Sequence, residues 1–106
     1  MKNNPPTHLT RDSKALWREL ATEYGILDRA GVLLLTTAME ARDRMKAATR
    51  AIEAEGQTVT DRFGQIRLHP LVTCERDARS AMLAALRALN LDFEPLHDKP
   101  GRPGGR

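Results

Sequence analysis

The sequence predicts a mainly α fold: helix, turn, long helix, small β-hairpin, helix, with the last two helices forming an antiparallel pair that oligomerises. Three observations predict it. Leu34, Ala38, Ala41, Met45, Ala48 and Ile52 alternate spacings of four and three, and Leu71, Cys74, Ala78, Met82, Ala85 and Leu89 form a second seam of helical spacing. Between these seams, Gln57 to Leu68 changes to short β-branched runs around a turn. Chain-stopping residues fall where the periods change: Gly25, Gly56, Pro70 and Asn90.

Taken in order, the first nine residues hold two prolines and two asparagines and read as an extended arm. Thr10 is suited to cap a helix whose first turn carries Asp12. That helix runs to Tyr24, with Leu16, Trp17, Leu20, Ala21 and Tyr24 on one face, and Gly25 stops it. Asp28 caps the next helix, which ends at Gly56 and is about 40 Å long at 1.5 Å per residue. Val59 and Ile66-Arg67-Leu68 are strand segments, and Asp61-Arg62-Phe63-Gly64 supplies the turn. Pro70 opens the third helix at its first position, where a missing N–H does no harm. Asn90 provides the left-handed stop. The organisation is an arm (residues 1–9), a helical domain (10–96) and a flexible basic tail (97–106).

The second helix carries an extra demand. Beside the Leu34 and Ala38 seam, its first half bears Val32, Leu35 and Met39 on another face. An apolar pattern on two sides must be sandwiched. A 106-residue chain with alanine at so many seam positions buries little area per residue. Self-association through Val32, Leu34, Leu35, Ala38 and Met39 is the expectation.

Composition excludes several classes. The longest apolar run is far short of a membrane span, and the start, Met1-Lys2-Asn3-Asn4-Pro5-Pro6, has no apolar core of a secretion signal. One cysteine permits no internal disulfide and no Cys-rich zinc site, which fits a reducing, cytoplasmic setting. Cys74 lies on the third-helix seam and is expected to be a buried small hydrophobe. His69, before Pro70, suits a capping role. Three scattered histidines have no metal-ligand spacing, and no Gly-rich phosphate loop occurs. The expectation is a non-enzymatic protein without metal or cofactor.

The 17 basic and 14 acidic residues leave a net charge of +3. Their placement is more telling than their sum. Arg11, Lys14 and Arg18 share one arc of the first helix, on the flank opposite its acidic residues. Such segregation suits a helix that packs by one side and meets phosphates with another. Arg42, Lys46 and Arg50 form a similar stripe, partly neutralised by Asp43 and Glu53 at helical spacing. The tail adds Lys99, Arg102 and Arg106, with Gly101-Arg102-Pro103 like the centre of a minor-groove hook.

Pro6-Thr7-His8-Leu9-Thr10, Trp17, the Leu- and Ala-rich long helix, Gly56, Gly64, His69-Pro70 and Leu89-Asn90-Leu91 stand in an order that resembles the short bacteriophage terminase small subunits over roughly residues 5–91. Asn90 occupies a position where members usually carry glycine. The resemblance implies a DNA-packaging component in the bacterial host cytoplasm. Such a protein forms a homo-oligomeric ring, binds viral double-stranded DNA and hands it to the large terminase subunit, which carries the ATPase and nuclease. The alternatives are a small helix-turn-helix transcriptional regulator and a structural helical adaptor. Against the regulator, its second helix would begin with the apolar run Val32-Leu33-Leu34-Leu35, ill suited to a major groove.

Overall fold

Helix α1 spans Arg11–Glu23, α2 Arg29–Glu55 and α3 Pro70–Ala88, with strands β1 (Thr58–Thr60) and β2 (Ile66–Leu68) between the last two helices. These elements come from a computed structural model that describes residues 4–91. Each helix starts where a side chain caps it. Thr10 accepts the Ser13 N–H, Asp28 accepts the Gly31 N–H, and the ring of His69 accepts the Leu71 N–H ahead of Pro70. Gly25 and Asn90, just past the ends of α1 and α3, take φ of 63° and 62°. The mainly α fold and its element order match the expectation.

Helix α2 is the spine. The antiparallel course of α3 along it is fixed at both ends: the Thr49 hydroxyl donates to Glu75 near the start of α3, while Ala85 near its end shares a core cluster with Leu35 and Ala38. The shared seam is small: Ala38, Ala41, Ala48, Ala78 and Ala85 are all buried. Helix α1 closes the other side of the first half of α2. Trp17 is 1% exposed, and its indole N–H donates to the Thr36 hydroxyl at 3.2 Å. Leu9 and Pro5 are also buried, so the segment ahead of α1 folds onto the helices.

Two expectations change here. The two-faced first half of α2 is indeed sandwiched, but by α1 and α3 of the same chain. Leu35, Ala38 and Met39 are at most 1% exposed and cluster with Trp17 and Ala85, while Val32 and Leu34 are half-buried. The pattern therefore requires no second copy. Cys74 is exposed rather than buried. The inward position belongs to Glu75, which spends its carboxylate on Thr49, and one residue of offset turns Cys74 about 100° away from the seam. Apolar spacing alone placed the thiol one step wrong.

The strands pair antiparallel, with Thr58 opposite Leu68, Val59 opposite Arg67 and Thr60 opposite Ile66. Thr58, Thr60, Ile66 and Leu68 therefore share one face, and all four are exposed. Val59, on the other face, is half-buried. Among the described residues no helix is long and apolar enough to cross a membrane.

Candidate nucleic-acid interface

The start of α1 is fastened to the middle of α2 through one carboxylate. Asp43 accepts the Thr10 N–H at 2.9 Å, the Thr10 hydroxyl at 2.7 Å and the Ser13 hydroxyl at 2.5 Å. Arg42 in turn donates to the Ser13 oxygen at 3.0 Å. Nearby, His8 Nε2 lies 2.7 Å from Glu40 Oε2. Burial pushes the Asp43 carboxyl up, but the Ser13 and Thr10 hydrogen bonds and the Arg42 charge outweigh it. The net result is a carboxylate held below its ordinary range.

This fastening brings Arg11 to the basic stripe of α2. Arg11, Arg42, Lys46 and Arg50 surround a cleft of about 170 Å³, together with Thr10, Asp12 and Asp43. Arg11, Lys46 and Arg50 are exposed, and among the described residues none of the three enters an ion pair. Asp43 faces the hydroxyls of α1, and its direct bonds are spent there. The two stripes that looked separate in the sequence thus meet at one point. Lys14 (half-buried) and Arg18 (exposed) lie on α1 away from the cleft lining. Lys99, Arg102 and Arg106 lie outside the described residues.

The other candidates resolve locally. His69 is 5% exposed; its Nδ1 accepts the Leu71 N–H at 3.0 Å, which leaves the proton on Nε2, 2.7 Å from Glu55 Oε1. It is a cap, as its position before Pro70 implied. Cys74 lines an open depression with Arg44, Thr73 and Asp77, and neither His8 nor His69 bonds to it. No group of three or more potential metal ligands gathers among the described residues.

Sequence reasoning missed Asp43 and Ser13 as the fastening. A signal was present: an acid in the middle of a basic stripe, and a serine on the packing side of an amphipathic helix. It also missed the apolar face of the hairpin. Phe63, Ile66 and Leu68 are 74%, 76% and 57% exposed. Asp61 organises that turn by accepting the Phe63 and Gln65 N–H groups and the Arg67 side chain. The Arg67 bond is the largest influence holding its carboxyl below the ordinary range.

A comparison with protein families matches residues 13–94 to the family described as phage terminase, small subunit. No curated protein and no solved structure matches the chain.

Proposed function

We propose, from the premise that this chain belongs to the phage terminase small-subunit family, that it works in genome packaging by holding viral double-stranded DNA as an oligomer and presenting it to the large terminase subunit. On this reading its own contribution is binding and assembly, and the chemistry of packaging lies with its partner. It acts in the cytoplasm of the bacterial host. The supporting observation is the basic cleft between α1 and α2, lined by Arg11, Lys46 and Arg50, none of which enters an ion pair among the described residues. Their spread along two helices suits a run of phosphates better than a single small anion, and phosphate contacts fix position without reading bases. The helix-turn-helix alternative fits poorly, because Leu35, Ala38 and Met39 of its recognition helix are core residues.

The test is fluorescence anisotropy on duplex DNA over a series of salt concentrations. Wild type is compared with Arg11→Gln/Lys46→Gln/Arg50→Gln and with Lys14→Gln/Arg18→Gln. Each lost phosphate contact reduces the log–log salt slope by about 0.9. The cleft variant should therefore lose up to about 2.7 in slope per engaged subunit. It should weaken binding to all sequences alike. The Lys14/Arg18 variant should change less. If the cleft variant assembles normally and binds as wild type does with an unchanged slope, the cleft does not hold DNA.

A further inference from the structure

Arg11 is the first residue of α1. A cation is disfavoured there, because the start of a helix is the positive end of its dipole. The N–H groups of that first turn also lack partners within the helix. What holds the turn in place must therefore come from outside α1. Trp17 anchors the middle of α1 through its bond to Thr36. Ahead of Trp17, the hydrogen bonds that Thr10 and Ser13 make to α2 run to Asp43 and Arg42. The bond between His8 and Glu40 lies further out, on the exposed arm. Asp43 is thus the carboxylate to which the turn carrying Arg11 is tied, and Arg42 serves the same tie by donating to the Ser13 oxygen.

Along the chain, Asp43 looks like a charge that cancels part of the basic stripe. On that view its removal would tighten DNA binding. We propose the opposite: Asp43 is a positioning residue for DNA, holding Arg11 beside Lys46 and Arg50 so that one run of phosphates meets all three. This rests on the basic cleft being the DNA site. The magnitudes decide the sign. A phosphate contact contributes about 0.9 to the log–log salt slope, so losing the one at Arg11 weakens binding roughly eightfold at 0.1 M salt per engaged subunit. Against it stands the direct repulsion of one half-buried carboxylate, whose oxygens face the α1 hydroxyls and whose neighbour is Arg42. That is a screened interaction near the surface, and the smaller of the two.

The experiment is a double-mutant cycle by fluorescence anisotropy on duplex DNA across a salt series: wild type, Asp43→Ala, Arg11→Gln and Arg11→Gln/Asp43→Ala. Circular dichroism and sedimentation velocity check that each variant is folded and assembled as wild type is at the temperature of the assay. Arg11→Gln should bind more weakly, with a slope shallower by about 0.9 per engaged subunit. Asp43→Ala should weaken binding by up to about eightfold at 0.1 M salt, although it removes a negative charge. In the Arg11→Gln background there is no contact left to lose, so Asp43→Ala should leave affinity unchanged or raise it. If Asp43→Ala does not melt cooperatively, Thr10→Val takes its place: it removes the hydroxyl that bonds Asp43 and leaves the net charge as it is. It should weaken binding in the wild-type background and not in the Arg11→Gln background. Asp43→Ala binding as tightly as wild type or more tightly, or Thr10→Val without effect, would overturn the proposal. An equal loss in both backgrounds would do the same, because Asp43 would then act apart from Arg11. If these results come while Arg11→Gln/Lys46→Gln/Arg50→Gln still loses DNA, only the positioning role fails. If that triple variant binds as wild type does, the cleft reading fails and takes this one with it.

Discussion

Replacing Asp43 by alanine tests whether the start of α1 is held by this single carboxylate. The variant removes the acceptor of three hydrogen bonds. Their costs differ. Thr10 is exposed, so its two donors regain water, and each loss costs about 0.5–1 kcal/mol. Ser13 is 0% exposed, and its hydroxyl proton is left without an acceptor, at about 1–3 kcal/mol. The expected destabilisation is about 2–5 kcal/mol, a melting point lower by roughly 10–40 °C for a domain of this size. Thermal unfolding followed at 222 nm measures it. The pH dependence carries a sign. The folded carboxyl titrates below its ordinary value, so its contribution is complete above the unfolded pKa, near 3.9, and is lost as pH falls through the lower folded one. The gap between wild type and variant should be full at pH 6 and should close below about pH 4. Asp61 titrates low in both proteins and cancels in the comparison. A loss under about 1 kcal/mol, against the ~2–5 kcal/mol these bonds imply, would refute the reasoning. So would a gap that stays constant down to pH 2. Ser13→Ala combined with Asp43→Ala should fall short of additivity, since the two share a bond.

Leu35→Asp should abolish the cooperative melt of the protomer itself, because it places a charge at a position 0% exposed; a folded, merely dissociated monomer would mean that Leu35 faces a partner after all. His69→Ala should cost about 1–2 kcal/mol by removing the α3 cap, and His69→Asn should recover part of it; equal melting points for the two would remove the cap from the account. Cys74 should react with a thiol reagent in the native protein without denaturant, and Cys74→Ser should be neutral in stability. Slow labelling released only by denaturant would return the thiol to the core.

What the sequence made legible was what depends on neighbours along the chain. Thr10, Asp28, Pro70 and Asn90 announce helix ends through local hydrogen bonding and φ preference, and the structure uses all four. The antiparallel α2–α3 pair follows from two small-residue seams and a short connection. What stayed hidden depends on residues far apart in sequence. Whether Leu35 and Met39 need a second copy turns on where α1 packs, 19 residues separating Trp17 from the Thr36 hydroxyl it reaches. Glu75 displaces Cys74 from the seam because Thr49 waits across from it, 26 residues earlier. At the candidate interface, both basic stripes were visible as arcs, but their meeting at Arg11 depends on Asp43 reaching back 33 residues to Thr10.

The alanine seam gives the fold a directional tolerance to mutation. At Ala38, Ala41, Ala48, Ala78 and Ala85 there is almost no side chain left to remove. Truncation, the commonest way to damage a core, is confined here to glycine, at roughly 0.5–1 kcal/mol from helix propensity. Enlargement is the opposite case. A single added methyl group must push α2 and α3 apart along their whole length or force neighbouring rotamers, at about 1–3 kcal/mol. Random substitution falls mostly on the larger side of alanine. The seam is therefore where this chain can drift least. Changes in size or charge at its exposed positions, on the hairpin tip and around the basic cleft, carry no such penalty.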